Sequence, residues 1–237
     1  WVEWGKSFSL SGWSGNALAQ LGVIHEYLKN GGQIRTLSGT SLWSTIAILV
    51  GGIWNNLEKI AGLMQDINSM NETWDIPKNL MNSMSQKAFL WKLKGLLLKY
   101  GINEQTRFSD LKLPVLVNVW RQFWNSWEQE IVLWWNELVI DSILASMNVP
   151  NGSDNTGKFW TTEIHGVPMI DYAANERWNP THWLELVWEE QKNLVVIDVG
   201  YSSERWWSAI VRRIFQRATI RDFYAKMRVM MNGWTVI

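Results

Sequence analysis

Ser41 stands in the run Ser38-Gly39-Thr40-Ser41-Leu42, where a strand-like segment gives way to a helical one. A serine at such a junction is lifted out of the sheet on a tight turn. Its hydroxyl then faces the amino end of the next helix, where the helix dipole and backbone N–H groups favour negative charge. That is the setting a serine nucleophile needs. The position also suits an ordinary helix cap, because serine is a favoured N-cap residue. An earlier loop, Ser11-Gly12-Trp13-Ser14-Gly15, is a second strand-to-helix junction. Its N–H groups can hold an oxyanion, a device worth roughly 3–4 kcal/mol per donor, or can simply make a turn.

The elements that must position these residues follow from periodicity. Phe8 and Leu10 alternate with Ser7 and Ser9, which predicts a strand over 6–11. Ala17, Leu21, Ile24 and Leu28 share one helical face, and Asn30-Gly31-Gly32 ends that helix. A strand is expected over 34–37, broken by 38–41. A helix then carries Leu42, Ile46, Leu49 and Val50 and is stopped by Gly51-Gly52. Strand, helix, strand, helix within about fifty residues argues for a parallel sheet with right-handed crossovers. Adjacent parallel strands would bring both loops to one carboxyl edge, where α/β sheets bind ligands.

Further on, 56–100 reads as helical with a break near Pro77, 113–119 as a buried strand, and 138–147 as a helix that Pro150 terminates. A polar loop is expected over 151–157, a hairpin around His165-Gly166 over 163–170, a central strand over 194–199, and a last helix over 208–230. No repeat or linker divides the chain, so a single domain over 1–237 is expected.

Composition narrows the function. Lys plus Arg equals Asp plus Glu at 22 each, with no run of like charge, so nothing suggests a grip on nucleic acid. There is no cysteine, which excludes disulfides, thiolate metal sites and a cysteine nucleophile. His pairs at metal-ligand spacing do not occur. Apolar stretches fall short of the roughly 20 residues that span a bilayer, and the first residues carry no leader signature. A cytoplasmic or peripherally membrane-associated chain is expected. Nineteen tryptophans in 237 residues follow neither helical nor strand spacing. They read either as an aromatic, lipid-facing surface or as an altered sequence.

Taken together, 10–23 resembles the opening of patatin-like phospholipases, which is a strand, a glycine-rich oxyanion loop and a helix with a Gly-Val pair (here Gly22-Val23). Ser38-Gly39-Thr40-Ser41-Leu42-Trp43 resembles their Gly-x-Ser-x-Gly elbow, Ala145-Ser146-Met147-Asn148-Val149-Pro150 their Ala-Ser-x-x-(Ile/Val)-Pro segment, and 165–171 the hairpin into their Asp-Gly motif. The resemblance implies a three-layer α/β sandwich with a mainly parallel central sheet flanked by helices. It also implies a Ser-Asp dyad of Ser41 as nucleophile and Asp171 as base. Gly12, Trp13, Ser14, Gly15 and Asn16 would form the oxyanion and substrate-binding loop, with Gly39, Thr40 and Leu42 shaping the elbow. The reaction implied is hydrolysis of phospholipid or other acyl-ester lipid, with no cofactor and no metal. Peripheral membrane contact would come through apolar residues near Leu42 or on the helices of 56–100. A Ser-His-Asp arrangement from Ser41, Asp171 and His182 is the weaker assembly, and His25 and His165 read as structural or exposed.

The departures from that family fall at the site. Trp13 and Ser14 stand where it has glycines, Asn16 where it has a basic residue, and Ala17 where it has another glycine. Trp43 replaces the last elbow glycine, and Tyr172-Ala173 the small pair after the aspartate. Bulk in such loops forbids positive φ and close approach, so Trp13 is expected to block the oxyanion site and Trp43 to crowd the elbow, with weak or absent hydrolysis. The alternatives are a pseudoenzyme binding lipid or a partner through the same cleft, and a purely structural interaction module.

Overall fold

A computed structural model of the chain describes residues 5–11, 17–70, 83–123, 126–147, 162–171, 193–198 and 235–236. Its strands are β1 (Lys6–Ser11), β2 (Ile34–Gly39), β3 (Val115–Phe123), β4 (Ser126–Leu133), β5 (Thr162–Ile164), β6 (Val167–Asp171), β7 (Leu194–Asp198) and β8 (Thr235–Val236). Its helices are α1 (Ala17–Lys29), α2 (Leu42–Ile53), α3 (Leu57–Met70), α4 (Ser83–Lys99) and α5 (Val139–Ser146). The strands form one sheet in the order β5-β6-β3-β2-β1-β7-β8, with β4 also on β3. β1, β2, β3, β7 and β8 pair in parallel, while β4 and β6 run antiparallel to β3 and β5 antiparallel to β6. The fold is α/β, a mostly parallel central sheet flanked by helices, as expected.

Register assigns the two sheet faces. Phe8 pairs with Leu37 and Val195, Leu10 with Gly39 and Ile197, and Leu37 with Val115. Paired residues of parallel strands point the same way, so these apolar side chains share one face, and all of them are buried. Phe8 meets Tyr27 of α1 edge-on at 5.1 Å between ring centres. On the opposite face Ser7 and Ser9 align with Thr36 and Ser38, and these too are buried. The alternation read over 6–11 is therefore real, but it separates apolar from small polar side chains within a doubly covered sheet rather than core from solvent.

Helix α2 is buried at every turn, from Leu42 through Gly51 and again at Ile53. A helix apolar all round belongs inside, and each large aliphatic residue there contributes roughly 1.5–3 kcal/mol by burial. The expected stop at Gly51-Gly52 is corrected: α2 runs through both glycines and ends at Trp54, whose φ is 66°. A Cβ on Gly51 would come within 2.4 Å of a Val115 methyl carbon, so this glycine serves close helix–sheet packing instead of termination. Likewise β2 continues through Ser38 and Gly39, two residues past its expected end at Leu37 and into the expected break. β3 starts at Val115 and reaches Phe123, later and longer than expected, because β4 and β6 supply partners unseen in the sequence. The hairpin is as read: His165 and Gly166 take φ of 53° and 73° between β5 and β6. The loop over 151–157, the helix over 208–230 and the break near Pro77 lie outside the described residues.

α3 and α4 are joined by a polar cluster. The Asp66 carboxylate accepts hydrogen bonds from Lys99 Nζ (2.6 Å) and Tyr100 Oη (2.7 Å). Burial opposes ionisation of Asp66, but these two hydrogen bonds and the Lys99 charge outweigh it and hold the carboxyl below its ordinary value. Burial first, then the Asp66 hydrogen bond and charge, push the Tyr100 phenol up. A depressed carboxyl contributes stability that is complete above the ordinary carboxylate range and is lost as pH falls through the depressed value. A raised phenol contributes stability that is complete below its ordinary value and is lost as pH rises through the raised one. Asp66→Asn is expected to flatten the acid limb of the stability curve, read as the urea midpoint from about pH 7 down to about pH 2. An acid limb unchanged from wild type would show that other carboxylates carry it.

Candidate active site

β2 ends at Gly39, and the chain turns through Thr40 and Ser41 directly into α2. Ser41 has φ 57° and ψ −136°, a backbone state that a residue with a Cβ adopts only under constraint. It occupies the N-cap position of α2, yet its side chain makes no capping hydrogen bond. An N-cap serine normally has an extended backbone and spends its hydroxyl on the first turn. Ser41 does neither, so the helix-cap interpretation fails and the half-buried hydroxyl is left to other chemistry.

The surroundings over-determine this turn. The Ser41 N–H donates to Ser146 Oγ at 2.8 Å, and Ser146 Oγ donates to the Asn118 carbonyl at 3.0 Å. The Ser41 carbonyl accepts from the Ser44 N–H (3.0 Å) and the Ser44 hydroxyl (2.5 Å), and the Trp43 N–H donates to the Thr40 carbonyl (3.1 Å). Gly39 makes the sharp return possible, since a Cβ there would sit 2.4 Å from the Trp43 carbonyl oxygen and 2.9 Å from the Ser44 nitrogen. Those are backbone atoms with no rotamer to yield, so Gly39→Ala is expected to cost about 2–3 kcal/mol, seen as a lower urea midpoint. Unchanged stability would mean that the turn is looser than its geometry states.

Trp43, expected to crowd the elbow, is packed in the core with 1% of its surface exposed. The elbow forms with the tryptophan present, so the expected crowding is corrected. Leu42 is buried as well, so it offers no surface to a membrane. Thr40 is also buried.

Register locates the remaining candidates. Gly39 stands opposite Val117 and Asp171 opposite Val119, so the Asp171 backbone lies two residues farther along β3 than Gly39 does. The Asp171 side chain lies outside the described residues, as do Gly12, Trp13, Ser14, Gly15 and Asn16. The loop 12–16 leaves β1 at Ser11. Leu10 pairs with Gly39 in parallel, so this loop begins at the carboxyl edge beside the elbow, as the strand pattern predicted. Asp198 of β7 pairs with Ser11 at the same edge.

The two described histidines sit elsewhere. His25 lies within α1 with Nδ1 3.7 Å from Glu26, and exposed His165 lies at the β5–β6 turn with Nε2 3.7 Å from Glu137. His182 falls outside the described residues. Among the described residues no three His, Asp or Glu side chains gather as a metal site. A groove of about 700 Å³ lies between Trp91, Leu98, Ile102, Glu104 and Ile140. Ile102 packs against Gly52, near the carboxyl end of α2, so α2 separates this groove from Ser41 by about 16 Å of helix. The sequence offered no signal for Ser146 as the Ser41 partner beyond its place in the 145–150 segment, because the two are 105 residues apart.

No protein-family model matches the chain, and no curated protein is significantly similar to it in sequence. Solved structures that overlap it include the following three. VipD from Legionella pneumophila is 11% identical over 96% of this chain and 67% of its own, with a TM-score of 0.43. The ExoU–SpcU heterodimer of the Pseudomonas aeruginosa type III secretion system gives 13%, 96%, 52% and 0.42. The type III effector ExoU gives 11%, 96%, 53% and 0.40. The chain thus spans about two thirds of VipD and about half of the ExoU chains. Scores below 0.5 describe partial overlap only, and the α/β assignment rests on the sheet order and register above.

Proposed function

We propose that this chain is a serine-dependent lipid acyl hydrolase of the patatin-like kind, acting on phospholipid or another acyl ester. The observation that carries the reading is the Ser41 backbone, strained at positive φ between a strand end and a buried helix, with its hydroxyl withheld from capping. Strain of this kind costs about 1–3 kcal/mol and persists where function requires it.

In the proposed reaction Asp171 accepts the Ser41 Oγ proton as Oγ attacks the ester carbonyl carbon. The tetrahedral oxyanion is held by N–H groups of the 12–16 loop, near the amino end of α2. Collapse expels the alcohol, which takes up the proton, and leaves an acyl-Ser41 ester. Water, deprotonated by Asp171, then releases the fatty acid. No cofactor enters. Exposed Trp91 and Leu98, seven residues apart on α4, are the proposed peripheral contact with lipid in place of Leu42.

A second reading, a pseudoenzyme that binds lipid or a partner through the same cleft, is favoured by Trp13 and Ser14 standing where the resembled family has glycines. A fluorophosphonate probe separates the two, since only an activated serine is labelled. Labelling of wild type together with turnover of a short-chain ester supports the hydrolase, and an unlabelled folded protein leaves the binding reading.

A further inference from the structure

We propose that Ser146 is a positioning residue for the nucleophile turn, holding Ser41 in its strained conformation through one inserted hydroxyl. This rests on the reading of Ser41 as the nucleophile.

The β2–β3 ladder ends at the Gly39–Val117 pair. Past it the two strands must part, because the chain of β2 turns into the elbow while β3 runs on to Phe123. Beyond that pair the β2–β3 ladder stops, while β3 stays paired with β4 from Val117 to Phe123 and with β6 from Val119 to Arg121. A backbone group left unpaired in the interior costs about as much as a lost hydrogen bond. Ser146 fills the gap. Its Oγ accepts from the Ser41 N–H and donates a hydrogen bond to the Asn118 carbonyl, one residue past the last β2–β3 ladder pair. A hydroxyl has one donor and can accept at the same time, so both bonds are chemically consistent.

Ser146 is itself fixed. It is 0% exposed and ends α5, whose buried residues Ile143 and Ala145 belong to the core. The Ser41 carbonyl is held from the other side by Ser44. With the N–H tied to Ser146 and the C=O tied to Ser44, the peptide units on both sides of the nucleophile are set. Removing the Ser146 hydroxyl frees one of them, and Ser41 relaxes toward an ordinary N-cap conformation that turns its Oγ into the helix.

The test uses the full chain with Ser146→Ala and Ser146→Thr. For Ser146→Ala, fluorophosphonate labelling of Ser41 and kcat are expected to fall about tenfold with KM unchanged. The Ser41 amide is expected to exchange with solvent about tenfold faster, while amides in the middle of α5 keep wild-type rates. Ser146→Thr, which retains the hydroxyl, restores both. If alanine leaves a protein that does not fold, Ser146→Cys fills the same space with a weak acceptor and takes its place. Ser41 exchange at the wild-type rate, or acceleration shared equally with α5, overturns the proposal. Should wild type resist labelling altogether, the hydrolase reading fails, while the Ser41 exchange rate still decides what Ser146 does.

Discussion

Ser41→Ala is expected to abolish ester turnover and fluorophosphonate labelling while leaving the fold intact. Loss of the nucleophile in a serine hydrolase lowers kcat by roughly 10⁶-fold. Alanine keeps the Cβ at φ 57° and so keeps the strain. Its urea midpoint should match wild type, because the Ser41 hydroxyl supplies no capping hydrogen bond to lose. Ser41→Gly goes further. Glycine occupies positive φ without steric penalty, so this variant should be inactive yet more stable by about 1 kcal/mol, the strain relieved less the added freedom of the unfolded chain. Gaining stability while losing function is what a strained nucleophile predicts. A Ser41→Ala variant that still turns over ester would remove Ser41 from the mechanism, and a Ser41→Gly variant no more stable than wild type would deny the strain.

The second large effect concerns Trp43. Replacing it by the glycine of the resembled elbow motif does not open the site, because the side chain is 1% exposed and part of the core. Trp43→Gly would empty a cavity of indole size, which costs about 3–5 kcal/mol for a buried aromatic, and adds about 1 kcal/mol for glycine inside a helix. Against a typical total stability of 5–15 kcal/mol, the variant should unfold at much lower urea and show no rise in ester turnover. A folded Trp43→Gly protein with faster turnover would restore the crowding interpretation. The position illustrates why a motif departure is judged in place. At this turn the close approach is made by Gly39 against the Trp43 backbone.

The candidate site is therefore legible in uneven parts. The strand-turn-helix around Ser41 is local grammar: alternating β-formers, then Gly-Thr-Ser, then a run apolar on every side. Those features act over a few residues, and the sequence by itself determined them, together with the parallel β1-α1-β2-α2 unit and the β5–β6 hairpin at His165-Gly166. That β1 and the elbow strand β2 end at one carboxyl edge followed from the same reasoning, because parallel neighbours joined by crossovers end on the same side.

What only the tertiary structure decided are relations between residues far apart in the chain. Gly51-Gly52 resembles a helix stop, yet both residues are helical because Val115 packs where a Cβ on Gly51 would stand. Ser41 fits a helix cap by type, and only its φ and ψ rule that out. The register between Gly39 and Asp171 depends on β3, which pairs with both β2 and β6. Ser146 reaches Ser41 from 105 residues away through a gap that exists because two strands diverge. Local propensity encodes which conformations a segment prefers. It does not encode which distant hydroxyl will meet an amide, since that contact depends on the packing of every element between them.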